Sequence, residues 1–96
     1  MNEENKKILL DFTGVMVEEK IGEYVQRDLS KPLGNSIHQR VGDIGLDEIA
    51  RKIYHEGKIE VDEKMAVAIK SIIENGDFVL FIRQALCKVV DEAMKK

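Results

Sequence analysis

The side chains of this sequence that best suit anion binding lie close together, between positions 27 and 45. They are the basic and hydrogen-bonding side chains of Arg27, Lys31, Asn35, Ser36, His38 and Arg40. Gly34 precedes a predicted helical turn, and the free backbone N–H groups at the start of such a turn bind anions. One hypothesis is therefore a site for a small ligand or a nucleotide phosphate. Because Asp28 and Asp43 lie among the cations, the alternative is an exposed surface of mixed charge.

Catalytic and metal-binding motifs are not found in the sequence. It contains no phosphate-binding glycine loop, no nucleophile elbow and no His-Glu-x-x-His zinc helix. The two histidines, His38 and His55, lie in different segments without the spacing of metal ligands. We therefore expect a protein that is not an enzyme and has no metal or other cofactor. Cys87 is the only cysteine, which precludes an internal disulfide and is typical of a reducing compartment.

The length, charge and hydropathy of the chain narrow the possible classes. With 96 residues, positions 1–96 are expected to form one domain. The 15 basic and 18 acidic residues give a net charge of −3. This balance disfavours nucleic-acid binding, which usually needs clustered cations. The longest dense apolar stretch, Phe78 to Ile82, is too short to span a membrane, and the polar start of the chain is unlike a secretory signal. We expect a cytoplasmic protein.

A long amphipathic helix is predicted from Phe78 onward, with Asp77 as its N-cap. Besides its main apolar face it has a second apolar seam, in which Leu80, Cys87 and Met94 recur every seven residues. Either this helix is central to the monomer, or the seam packs on another chain. The second interpretation predicts self-association, most simply as a dimer. The residues predicted to mediate it are Leu80, Phe81, Arg83, Cys87, Val90 and Met94.

Two residues interrupt the pattern of this helix. Phe81 lies in its polar strip, where it is harmless, contacts the N-terminal segment, or anchors a partner protein. Arg83 lies on the apolar side, where it either forms a salt bridge with Glu19 or Glu23 or binds an anionic partner. Cys87 is expected to be a half-buried apolar residue without special reactivity.

The segment 46–54 is predicted to form another helix, with an apolar face. Residues 46–52 resemble the first helix of a helix-turn-helix, with Ala50 at the position of tight packing. The resemblance implies a DNA-binding regulator as a further hypothesis. Against it, Tyr54 stands where the turn of the motif has glycine, and the next predicted helix opens with acidic residues that repel phosphates.

Turn and cap residues predict where the segments after residue 54 begin and end. Gly57 ends the helix over 46–54, and residues 58–61 form an extended connector or a single short strand. A helix then runs from Asp62, its predicted N-cap, to Glu74. The Asn75-Gly76 link is short, and its glycine is suited to a left-handed C-cap. This helix and the C-terminal one are therefore expected to form a helical hairpin.

The N-terminal region supports two competing interpretations. Its apolar residues fall on two helical stripes, one made of Ile8, Leu9, Phe12, Val15 and Met16, the other of Leu10, Val17, Ile21, Tyr24 and Val25. The favoured interpretation is a helix that breaks near Gly14 or is packed on both sides. The alternative is a β-hairpin over 7–17 that turns at Thr13-Gly14.

Together these segments predict an all-α fold: a small bundle of about four helices with a C-terminal helical hairpin. One long irregular loop is expected over residues 28–45, because a proline and three glycines interrupt it. Within the loop, Asn35 or Ser36 is expected to cap one short helical turn through Ile37 and Val41.

The function expected from these features is a non-catalytic protein–protein interaction module that self-associates and binds an unidentified protein partner. Small acidic modules of this kind include inhibitors, antitoxins and accessory proteins of phages or mobile elements. The alternative is a protein that binds a small ligand or nucleotide through the segment 27–45. A helix-turn-helix regulator is less favoured, and no membrane association is expected.

Overall fold

The computed structural model describes residues 7–40, 42 and 44–95, and this part of the chain has four strands and four helices. In chain order they are β1(Ile8–Asp11), β2(Val15–Lys20), β3(Glu23–Arg27), α1(Ser30–Arg40), α2(Ile44–Glu56), β4(Lys58–Val61), α3(Glu63–Glu74) and α4(Leu80–Lys95). The fold class is therefore α+β, and the predicted all-α bundle was wrong.

The prediction of an N-terminal helix was wrong, because burial in this region alternates from one residue to the next, as in a strand. Ile8, Leu10 and Phe12 are buried, whereas the residues between them are exposed. A short run of apolar residues fits both the helical and the strand period, so periodicity alone does not separate them. β1 pairs antiparallel with β4, with Ile8 opposite Val61. The possible strand at 58–61 is thus confirmed, and its partner is distant in sequence.

β2 and β3 form a separate antiparallel hairpin, which turns at Ile21-Gly22. Gly22 has a φ of 81°, a conformation that glycine adopts without strain. The alternative prediction of a hairpin turning at Thr13-Gly14 was therefore also wrong. At that position the chain passes from one sheet to the other, and the Asp11 carboxylate accepts a hydrogen bond from the Thr13 backbone N–H.

α1 occupies most of the segment that was predicted to be an irregular loop. Asp28 begins it by accepting hydrogen bonds from the backbone N–H and the hydroxyl of Ser30. Pro32 lies in the first turn, where its missing N–H breaks no helical hydrogen bond. The predicted loop over 28–45 and its single helical turn were wrong because a proline so placed is compatible with a helix. Val41, the predicted end of that turn, lies outside the described residues.

α2 contains the predicted helix over 46–54 and extends it at both ends. Gly57 ends it as predicted: its φ is 81° and its N–H donates to the Ile53 carbonyl. Its own carbonyl accepts a hydrogen bond from Phe12 N–H at 2.8 Å, which ties this helix end to the N-terminal region. The next element is the strand β4, so the second helix required by the helix-turn-helix resemblance does not follow.

α3 and α4 pack against each other, as the short link between them predicted. Asp62 is confirmed as the N-cap of α3, since its carboxylate accepts from Met65 N–H at 2.8 Å. Asp77 does not cap α4, which begins three residues later. Its exposed carboxylate instead pairs with Arg40 at 2.8 Å. Gly76 does not adopt the left-handed conformation predicted for it, because its φ is not positive.

One apolar core joins both sheets and all four helices. Its largest fully buried side chains are Leu10, Phe12, Val15, Val17, Leu33, Ile37, Ile53, Ile69, Ile73, Leu86 and Val90. None of the helices in the described part of the chain combines the length and hydropathy that a membrane span requires.

Candidate interaction surface

Most of the predicted second seam of α4 packs on its own chain. Val90 is fully buried in the core. Cys87 and Met94 are partly buried and contact the core cluster. Leu80 and Phe81, at the start of the helix, are 61% and 39% exposed. Of the residues predicted to mediate self-association, those in the first turn of α4 are therefore the most accessible to another chain.

Arg83 does not form the salt bridge predicted for it. Its Nη2 donates to the Phe78 carbonyl at 3.1 Å, and Glu19, one of its two predicted partners, pairs with Arg27 instead. The buried Nε of Arg83 has no hydrogen-bond partner among the described residues. Arg83 thus fixes the start of α4 to its own backbone.

Cys87 is partly buried against the core cluster, as expected from the sequence. Burial is the main cause that raises the pKa of its thiol above the usual value. A raised pKa reduces the reactive thiolate fraction at neutral pH. A structural role for Cys87 therefore fits its surroundings better than a redox role.

Three apolar side chains, one each from β2, β3 and α4, meet at the surface. Met16 and Tyr24 of the hairpin and Phe81 of α4 line a groove of about 110 Å³, which we call the hairpin groove. Met16 and Tyr24 are more than half exposed. The remaining lining residues are Glu18, Gln84, Ala85 and Lys88. An apolar centre with a polar rim is the usual composition of a protein-binding surface, and Tyr, Phe and Met are enriched in such centres.

The outer edge of β3 adjoins this groove. Within the described part of the chain, β3 pairs with β2 alone, and all five residues of β3 are exposed. An edge strand presents unpaired backbone N–H and C=O groups that can pair with another strand. Natural proteins commonly protect such edges with lysine, proline or a bulge. β3 contains neither lysine nor proline, and the irregularity of this hairpin lies in β2, between Glu18 and Lys20.

The structure separates the residues of the predicted anion site. Arg27 on β3 pairs with Glu19 at 2.6 Å. Arg40 pairs with Asp77 and, with Asn35 and Ser36, borders a shallow pocket. The helical turn that was expected to open at residues 34–36 and to bind the anion does not begin there, because these residues lie inside α1, which starts at Ser30. These residues therefore do not form one site.

Lys31 and His38, the other two basic residues of that set, lie near α2. The Lys31 Nζ lies 5.2 Å from the centre of the Tyr54 ring, within the range of a cation–π contact. His38 contacts the carboxylate of Asp47 through Nδ1. Asn35 and His38 also line a second cavity together with side chains of α2.

Sequence reasoning identified Phe81 and Leu80 but missed Met16, Tyr24 and the β3 edge. The sequence gives no clear signal for them, because Val15, Met16 and Val17 are all apolar and their alternating burial appears only in the structure. Tyr24 could be placed beside Phe81 only after the hairpin register was known.

Comparisons with known proteins add no assignment: the chain matches no protein family model, no curated protein and no solved structure. Among the residues that the structure describes, no three His, Cys, Asp or Glu side chains are grouped so that they could hold a metal ion.

Proposed function

We propose that the protein is a non-catalytic interaction module whose first partner is a second copy of itself. The observation that carries this proposal is the exposed edge of β3 beside the apolar side chains of the hairpin groove. The occupant proposed for this edge is the β3 strand of the second copy, so that two hairpins form one four-stranded antiparallel sheet. A two-stranded sheet is marginal by itself, and added strands stabilise it.

The charges of β3 favour one register for this pairing. In a twofold-symmetric antiparallel pair centred on Val25, each Glu23 lies opposite Arg27 of the second copy, and each Tyr24 lies opposite Gln26. All five residues of the strand are then paired, and both ends carry opposite charges. Arg27 already holds Glu19 through Nε and Nη2. Its Nη1 makes no hydrogen bond with the described residues and would bind Glu23 of the second copy. Exposed ion pairs add little affinity, but they do select a register.

The proposed interface is small, so we expect a weak dimer. Five backbone-paired residues and a few half-exposed apolar side chains bury less than the roughly 800 Å² per partner of a standard interface. A dissociation constant in the micromolar range or weaker follows. Such an affinity suits a regulatory module, for which inhibitor, antitoxin or phage accessory protein are the proposed roles. A cytoplasmic location is part of this proposal and is supported by the single, poorly reactive Cys87.

Disulfide trapping tests the edge and its register together. In the proposed dimer the two Val25 residues face each other on the symmetry axis. Directly opposed residues of antiparallel strands have Cα atoms about 4.5–5.5 Å apart, which suits a disulfide. In a Cys87→Ser background, Val25→Cys is therefore expected to form a covalent dimer rapidly on mild oxidation, as measured by non-reducing electrophoresis.

The matched control is Val67→Cys in the same background, because Val67 is a half-exposed valine on α3. It is expected to cross-link slowly, through random collisions only. If both variants cross-link at the same slow rate, the β3 strands do not pair in this register and the proposed interface is wrong.

A further inference from the structure

A cavity lies where α1 and α2 cross. The helices approach closely there, since a Cβ on Gly34 would lie 2.8 Å from the Ala50 carbonyl oxygen. Beside this contact is a cavity of about 220 Å³. Its lining residues are Gly34, Asn35, His38, Ala50, Arg51, Tyr54 and His55.

The charge of this lining is unusual for the chain as a whole. Acidic residues outnumber basic ones by 18 to 15 in the sequence, yet no lining residue is acidic. The fixed positive charge in the lining belongs to Arg51. A further cation lies close by, since Lys31 is positioned over the ring of Tyr54. The carboxylate of Asp47 beside the lining offsets part of this positive charge, so an anion would be recognised mainly by N–H groups that Asp47 does not occupy.

Asp47, just outside the lining, orients two of the cavity side chains. It accepts a hydrogen bond from Arg51 Nε at 3.0 Å and contacts His38 through Nδ1. Among the residues that the structure describes, neither terminal nitrogen of Arg51 makes a hydrogen bond, and neither does Nε2 of His38. The hydrogen bond with His38, and to a smaller extent that with Arg51, holds the pKa of Asp47 below its usual value. The carboxylate thus stays ionised at neutral pH and holds both side chains in place.

Further hydrogen-bonding groups converge on the same space. Within the described part of the chain, no hydrogen bond is made by the Asn35 amide or the Tyr54 hydroxyl, and His55 makes only a ring contact with Tyr54. A concave site with a few convergent, unused polar groups is the usual form of a small-molecule site. The guanidinium of arginine binds carboxylate and phosphate oxygens through two parallel hydrogen bonds.

We propose that this cavity binds a small oxyanion, a phosphate or carboxylate group, with the terminal nitrogens of Arg51 as its main donors. The side chains of Asn35 and His55 complete the donor set. The site differs from the one predicted from the sequence, because two of its three donor residues, Arg51 and His55, come from α2 and because Arg27, Ser36 and Arg40 take no part. It is also independent of the proposed dimer, whose surface lies on β3.

Nuclear magnetic resonance titration of the full chain tests this site. Inorganic phosphate and acetate are titrated separately, with sodium chloride at matched ionic strength as the reference. The expected result is saturable shifts of the backbone amides of Gly34, Asn35 and Arg51. Saturation with phosphate alone identifies a phosphate site, and saturation with acetate alone identifies a carboxylate site. If neither anion gives shifts beyond those of chloride, the proposal is overturned.

Two variants of neighbouring residues separate specific binding from general charge. Arg51→Gln removes the paired donors and is expected to weaken binding by about tenfold or more, the effect of losing hydrogen bonds to a charged group. Lys52→Gln removes the same charge from the next residue, which does not line the cavity, and should leave the affinity within about twofold. Asn35→Ala should weaken binding without any change of charge. Equal affinities of wild type and Arg51→Gln would contradict the proposal.

Discussion

Asp28 links protonation to the stability of α1. Its carboxylate accepts hydrogen bonds from the hydroxyl of Ser30 at 2.6 Å and from the Ser30 backbone N–H at 3.0 Å. These bonds lower its pKa below the usual value of 3.8. Because the pKa is lower in the folded protein than in the unfolded chain, the stabilisation is complete above the unfolded-state pKa. It is lost as the pH falls through the folded-state pKa.

Asp28→Asn separates the cap from its titration. Asparagine caps helices about as well as aspartate, so the variant is expected to be nearly as stable as wild type at neutral pH. Below about pH 4 it should lose less stability than wild type, because its side chain takes up no proton. Urea unfolding at neutral pH and at about pH 3 measures both effects. An identical loss in the two proteins would show that Asp28 does not contribute to acid destabilisation.

At the scale of the elements, Gly57 joins three parts of the fold. It ends α2 with a left-handed conformation and precedes β4 directly. A Cβ at this position would lie 2.2 Å from Thr13 Cγ2. Gly22 has the same φ of 81°, but a Cβ there would meet nothing within 4 Å. The two glycines therefore separate the cost of the backbone conformation from the cost of the steric contact.

Gly22→Ala is expected to destabilise the protein by about 1–2 kcal/mol, the cost of a left-handed conformation with a Cβ. Gly57→Ala should cost clearly more, because the contact with Thr13 adds to this strain. Thr13→Ser removes the clashing methyl and keeps the hydroxyl, so it should recover part of the extra loss in the Gly57→Ala background. Thermal or urea unfolding measures each free energy. Equal losses at the two glycines would mean that the steric contact is relieved without cost.

The elements that the sequence predicts well are those with local signals. α3 follows from the cap Asp62, and the end of α2 follows from Gly57. α1 was missed because Pro32 suggested a loop, although proline in a first turn is tolerated. β1 was missed because its partner strand lies about 50 residues away, with Leu10 opposite Ile59. Pairing at that distance leaves no signal in a local window.

In the candidate interaction surface, too, residues with a local sequence signal differ from those whose position depends on tertiary structure. Two residues in the first turn of α4 stood out in the sequence, because Leu80 belongs to the second apolar seam and Phe81 interrupts the polar strip, and both are exposed in the structure. Tyr24 and Val25 could not be predicted, because their exposure depends on which strand β3 pairs with and on which edge stays free. The cavity beside α1 also depends on the crossing of two helices, one of which was predicted to be a loop.

At the scale of the whole molecule, most apolar side chains are enclosed by the chain itself. Val90 and Leu86 of α4 belong to the core, so the broad apolar arc of that helix does not by itself require a partner. The β3 edge and the hairpin groove beside it are among the surfaces without a partner in the described part of the chain. The proposed function therefore depends on β3, and on whether two copies of the chain meet there.

Sedimentation equilibrium from micromolar to millimolar concentration tests that claim most directly. Val25→Lys places two like charges opposite each other on the proposed axis, which disfavours strand pairing. Val67→Lys makes the same change on α3 and is the control. The wild type and Val67→Lys are expected to rise from the mass of one chain toward that of two, while Val25→Lys stays monomeric. A monomeric wild type at millimolar concentration, or a Val25→Lys variant that dimerises as the wild type does, would contradict the account.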